Sequence, residues 1–124
     1  MGNPQNTGFR RIVNATFFSM AGMRAAWINE AAFRQECVLA LVLTPLGVWL
    51  GRSAVEHALL IGSLLLVIVV ELLNSGIEAA VDRISMDRHS LAGRAKDLGS
   101  AAVFVSIVNV LVIWALIGFE RFWG

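Results

Sequence analysis

The sequence predicts an all-α integral membrane protein, with three transmembrane helices preceded by an N-terminal amphipathic helix that lies in the membrane interface. Three observations predict it. Hydrophobic residues make up 57% of the 124-residue chain and charged residues only 15%, which is more apolar matter than a soluble domain of this size readily buries. Three apolar stretches each approach the ~20 residues that a helix needs to cross about 30 Å of hydrocarbon. Ahead of them runs an apolar segment studded with arginines. A chain this short reads as one domain, 1–124, so any chemistry it carries has to sit in or against the membrane part.

Residues 9–30 mix Arg10, Arg11 and Arg24 with Ile12, Val13, Phe17, Phe18, Met20, Met23 and Trp27, the pattern of a helix floating at headgroup level. The first span, 31–51, has a charge-free centre from Cys37 onward. Pro45 lies inside it, and a membrane helix tolerates such a kink when neighbouring groups satisfy the freed carbonyl. The second span, 58–77, contains Glu71 and Asn74, and the helix carries on to 82. The third, 98–119, holds no charged residue. The short connections at 52–57 and 83–96 make sequential spans antiparallel neighbours.

Basic residues sort unevenly between the two sides. Arg10, Arg11, Arg24, Arg34, Arg83, Arg88, Arg94 and Lys96 share one side, against Arg52 and Arg121 on the other, which places the N-terminus and the 83–96 connection in the cytoplasm and the C-terminus outside. Residues 1–30 lack the pattern of a removable signal peptide, so membrane entry is expected to use the spans themselves. The single cysteine, Cys37, reads as a small buried hydrophobe and cannot form an internal disulfide. A net charge of +1, with no basic stretch interleaved with aromatics, argues against a nucleic-acid partner.

Chemistry enters with the second span. A charge near the centre of a membrane helix costs at least ~2.5–3.5 kcal/mol, so ionisable groups there are functional candidates. Asn74, Glu78 and Asp82 follow Glu71 at offsets of three, seven and eleven, which puts all four on one helical face as a polar stripe descending into the bilayer. Such a stripe could be interhelical glue. Glue needs only one or two polar groups, and three carboxylates on one face repel unless a cation or proton neutralises them. Carboxylates with room for water and phosphate suit Mg²⁺, and Glu30 at the end of the interfacial helix could complete such a site with Glu78. Arg88, Arg94 and Lys96 stand close in sequence to neutralise a polyphosphate, with Asp97 to hold a cation or orient one of them. Soluble nucleotide-binding signatures are absent: there is no G-x-x-x-x-G-K-[ST] loop, no G-x-G-x-x-G after a strand and no kinase catalytic loop. His57 and His89 are too far apart, and too far from cysteine, to suggest zinc.

Residues 71–83, ELLNSGIEAAVDR, followed by GRAKD at 93–97 and preceded by RAAWINEAAFRQE at 24–36, resemble the signature of the prokaryotic diacylglycerol kinases. Chain length, three spans and an interfacial N-terminal helix agree, so the resemblance covers almost the whole chain. It implies a homotrimer in the bacterial inner membrane that transfers the γ-phosphate of MgATP to the free hydroxyl of diacylglycerol. By matching positions, it implies Glu71 as general base and Glu30 and Glu78 as holders of the metal on the ATP phosphates. Asp87, Arg88, His89, Lys96 and Asp97 fall where the family binds the nucleotide, and Arg11 where it contacts both ATP and lipid. Phe18 stands where a tyrosine is expected, so it offers the nucleotide a ring to stack on but no hydroxyl. The lipid is expected along Ser19, Arg24, Ala25, Ala26, Trp27, Ala32, Phe33, Arg34, Gln35, Glu36, Glu71 and Ser100, with Trp49 and Trp114 as further contacts. Asn74, Asp82 and Arg94 are supporting residues.

Two rivals remain open at this point. An undecaprenol kinase of the same fold would use a polyprenyl alcohol, although the match through 24–36 favours the glycerolipid enzyme. An oligomeric ion pore or small transporter would use the carboxylate stripe to bind ions.

Overall fold

A computed structural model describes residues 7–84 and 90–124, and within them the chain is helical almost throughout. Four helices follow in order: α1 (Gly8–Asn29), α2 (Ala31–Leu50), α3 (Ala54–Ile84) and α4 (Ser90–Trp123). Three of them, Ala31–Leu50, Ala54–Ile84 and Leu91–Trp123, are long and apolar enough to cross a membrane. The protein is thus a multi-pass membrane protein.

Polarity inside the bundle is the reverse of a soluble fold. Large apolar side chains such as Leu41, Leu73, Phe104, Val105, Leu111 and Leu116 point outward, where hydrocarbon chains would meet them. The buried positions include Ser63, Glu71, Asn74 and Ser106 beside a small apolar core of Leu60, Leu64 and Val67. Within a bilayer the outward apolar faces cost nothing, and the inward polar groups need local partners. The hydroxyls find them on their own helices: Ser63 donates to the Leu60 carbonyl at 2.8 Å, Ser106 to Val103 at 2.7 Å, and Thr44, beside Pro45, to Ala40 at 2.6 Å.

α3 occupies the centre, packed most extensively against α4 and next against α2. It begins four residues before the apolar pattern, at 54 rather than 58, because the side chains of Ser53 and Glu56 satisfy backbone N–H groups at its start. The Glu56 N–H donates to Ser53 Oγ at 3.1 Å, and Glu56 Oε1 accepts from the Arg52 N–H at 2.8 Å. α3 and α4 contain 31 and 34 residues, roughly 45–50 Å each at 1.5 Å per residue, and so project beyond the hydrocarbon. Hydropathy marks bilayer depth, whereas backbone hydrogen bonding carries the helix further, so α4 exceeds the expected 98–119 at both ends.

Two junctions set the geometry. Between α1 and α2 a single residue, Glu30, is extended (φ −120°, ψ 107°). Arg34 reaches back from α2 to donate to the Trp27 carbonyl at 2.6 Å and the Ile28 carbonyl at 3.3 Å, a cation on the negative end of α1. Between α2 and α3 the chain turns at Gly51, where an added Cβ would stand 2.7 Å from the His57 ring. His57 Nε2 lies 2.9 Å from the Val48 carbonyl oxygen and ties the turn to α2. At the same end Arg52 pairs with Glu120 at 3.7 Å, and the Arg121 guanidinium sits 5.2 Å from the centre of the Trp49 ring, which also packs on Phe122.

Candidate functional site

Moving along α3 away from the Gly51 turn, the polar face passes from the buried interior to solvent. Glu71 is 5% exposed and Asn74 8%. Glu78 is half-buried and Asp82 exposed, so helical spacing has laid out a gradient of desolvation along four consecutive turns. Asn74 Nδ2 donates to Glu78 Oε1 at 3.3 Å.

The outer part of this face opens on a cleft of about 760 Å³ between α1 and α3. From α1 it is lined by Ser19, Ala25 and Ala26, from the α1–α2 junction by Glu30, and from α3 by Glu78 and Asp82. Gly22, Gly76 and Ala79 keep its walls low. Residues 30 and 78, 48 positions apart in the chain, therefore share one cleft. Among the described residues no three His, Cys, Asp or Glu side chains form a ready-made metal cage. Magnesium asks for less, since it binds through one or two carboxylates and leaves its other positions to water and phosphate oxygens, so Glu30 and Glu78 are a fitting donor set.

Lys96 of α4 reaches the same face, with its Nζ 2.6 Å from Asp82 Oδ1. Both partners are well exposed, so the pair is weak. The sequence placed Asp82 on the carboxylate face and Lys96 in the basic connection without joining them. The contact links two helices, and no spacing rule reaches across the connection.

Glu71 does not line the cleft. It is buried between helices, where its carboxyl meets that of Glu36 from α2. Glu36 Oε2 and Asn74 Oδ1 are buried without a hydrogen-bond partner among the described residues. Two facing carboxyls call for a proton, a cation or a polar substrate group between them. Carboxyl oxygens so placed can accept a hydrogen bond from a hydroxyl.

A second, apolar groove of about 550 Å³ is lined by Trp27, Arg34, Gln35, Val38 and Leu39. It lies at the α1–α2 corner and has the apolar lining a lipid chain requires. Other expected residues are scattered. Phe33 is buried, while Arg11, Phe18, Arg24, Ala32, Arg94, Asp97 and Ser100 are exposed outside both cavities. Trp49 and Trp114 belong to the far end, about 28 Å from Glu30 along α2 in the case of Trp49. Trp114 donates its indole N–H to the Leu60 carbonyl at 3.2 Å, and its ring fills the space over Gly47. Asp87, Arg88 and His89 lie outside the described residues.

What the fold and cleft define is a class: a helical membrane protein with a carboxylate-lined cleft beside a buried carboxyl pair and an apolar groove. Comparison narrows the class. The sequence model of the family described as prokaryotic diacylglycerol kinase matches residues 17–118. The chain is 51% identical over 116 residues to the diacylglycerol kinase of Escherichia coli (strain K12), covering 94% of this chain and 95% of that one. It is 53% identical over 111 residues to that of Pseudomonas aeruginosa, covering 90% of each chain. To the Helicobacter pylori (strain 26695) enzyme it is 43% identical over 111 residues, covering 90% of this chain and 87% of that one. The chain belongs to the prokaryotic diacylglycerol kinase family.

Proposed function

We propose that the protein phosphorylates diacylglycerol to phosphatidic acid with MgATP, at the cytoplasmic face of a bacterial inner membrane, as a homotrimer. The observation that carries the reading is the family match over 17–118, joined to a cleft that Glu30 and Glu78 both line. The uneven distribution of basic residues supports a cytoplasmic N-terminus. The exposed apolar side chains of α1, among them Phe9, Ile12, Phe17 and Phe18, support a helix lying in the interface. The homotrimer is supported by the resemblance.

In this reading the apolar groove at Trp27 and Gln35 holds an acyl chain, with the glycerol hydroxyl directed to the buried Glu36–Glu71 pair. Glu71 takes the hydroxyl proton as the lipid oxygen bonds to the γ-phosphorus, while the bond from that phosphorus to the bridging oxygen breaks and ADP leaves. Glu30 and Glu78 would hold Mg²⁺, which neutralises the phosphate charge when bound. Lys96 leaves Asp82 for a phosphate oxygen, and Asp97, with Asp87, Arg88, His89 and Arg11, completes the nucleotide site. Phe18 supplies a ring for the base. Such chemistry needs positioning and charge neutralisation more than covalent catalysis, and a small membrane scaffold can provide both.

The test offers diacylglycerol and undecaprenol in parallel, with labelled ATP, and separates the lipid products by thin-layer chromatography. Label in phosphatidic acid is expected. Label only in undecaprenyl phosphate would transfer the reading to the polyprenol kinase, and cation flux through liposomes without ATP consumption would transfer it to a pore.

A further inference from the structure

Gly99 lies in α4 one turn beyond Lys96 and is buried where α4 crosses α3. A Cβ at this position would overlap Asn74 Oδ1 and stand 3.2 Å from Asn74 Cγ. All three of the heavy atoms it would approach most closely belong to Asn74. By contrast Gly93 and Gly118 of the same helix have nothing within 4 Å of such an atom. Helix interiors disfavour glycine, so a buried one filled by a neighbour's oxygen marks a required close approach.

The approach decides which way the Asn74 carboxamide points. Its oxygen rests in the Gly99 notch, buried and without a hydrogen-bond donor, in the position of a weak contact with the Cα–H. The amino group is then left to face α3's next turn, where it donates to Glu78 Oε1. Reversal of the amide would set its oxygen against a carboxylate. We propose that Gly99 is a positioning residue of the kinase site: by seating Asn74 against α4 it keeps an amide donor on Glu78 and so aims one of the two carboxylates of the cleft. The activity arm of this proposal rests on the kinase reading given above.

The test compares wild type, Gly99→Ala, Asn74→Ala, the double variant and Gly118→Ala in detergent micelles. Loss of a partner that orients a metal ligand typically costs ~10–100-fold, so Gly99→Ala is expected to lower lipid-dependent turnover by about tenfold or more and to raise the Mg²⁺ concentration for half-maximal rate. Asn74→Ala should do the same. Because both act through one link, the double variant should be no worse than Asn74→Ala alone. Independently of activity, the side-chain amide resonances of Asn74, identified by their loss in Asn74→Ala, should shift in Gly99→Ala and stay fixed in Gly118→Ala. Unmoved amide resonances, wild-type turnover in Gly99→Ala, or losses that multiply in the double variant would overturn the proposal. If Gly99→Ala fails to fold, the double variant, which removes the collision, should fold; failure of both rejects Asn74 as the occupant of the notch. Absence of diacylglycerol phosphorylation by the wild type would instead reject the kinase reading, while the resonances still decide whether Gly99 seats Asn74.

Discussion

Glu71 and the pair Glu30 and Glu78 share a residue type and differ in surroundings, and the roles proposed for them follow the surroundings. Glu71 is enclosed with Glu36, whereas Glu30 and Glu78 face an open cleft. Glu71→Gln keeps volume and most hydrogen bonding while removing the proton acceptor, so turnover should fall by ~10² or more with MgATP binding nearly intact. Retention of more than about a tenth of the wild-type rate would remove Glu71 as base, given what loss of a general base usually costs. Glu30→Gln and Glu78→Gln should each weaken the response to Mg²⁺ and be partly rescued by excess Mg²⁺ or by Mn²⁺, while Asp82→Asn, paired to Lys96 at the exposed end of the stripe, should do so less. Titration of activity against metal checks this. Equally low rates at every metal concentration, with normal ATP binding, would refute a metal role for the two glutamates.

At the scale of elements, one arginine makes a corner. Glu30 is the sole residue between α1 and α2, and Arg34 closes the end of α1 across it. Arg34→Gln keeps length but loses the cation and the fork of donors. Its expected effect is a looser corner, read as faster amide exchange at Trp27–Glu30, together with a raised Mg²⁺ requirement because Glu30 is no longer fixed. Unchanged exchange at the corner would show that Arg34 does not hold it. The corner also marks where sequence reasoning stopped. The break at residue 30 was legible as the end of an interfacial pattern at 9–30, and RAAWINEAAFRQE was legible as a motif. That Arg34 caps the preceding helix was not, because capping from four residues inside the next helix depends on the angle at Glu30. Ser53-x-x-Glu56, by contrast, is a local signal that dates the start of α3 correctly, and apolar counting passed over it.

Taken whole, the molecule is a bundle whose apolar surface faces outward and whose charged groups lie toward the two ends of α3 and α4, with the polar stripe of α3 running inward from one of them. Periodicity and hydropathy suffice for three spans and for the polar stripe, since both are properties of single helices. Contacts between helices, such as Lys96 with Asp82 and Asn74 with Gly99, are invisible to any one-dimensional pattern. Lys96 connects this scale to function, because its charge could serve topology or phosphate. Lys96→Met should raise the KM for ATP or slow transfer, yet leave insertion unchanged, since one of eight basic residues on that side is lost. Protease accessibility and kinase assays on the same preparations separate the two, with Arg83→Gln as control. Wild-type phosphorylation of diacylglycerol at all ATP concentrations by a correctly inserted Lys96→Met protein would end the proposed role of Lys96.

The burial of Glu71 sets endurance against activity. An ionisable group enclosed among helices, facing a second carboxyl that itself has an unsatisfied oxygen, weakens the fold that contains it, and an apolar side chain of similar size would relieve that conflict. Glu71→Leu is therefore expected to resist heating in micelles better than the wild type, by about 1–3 kcal/mol, while losing all turnover. Thermal unfolding followed by circular dichroism measures this, and a variant that melts earlier would mean that the carboxyl braces the bundle instead of straining it. If the variant does melt later, the least robust point of this scaffold is also the reason for its existence, and selection for hardiness alone would erase the enzyme before it improved it.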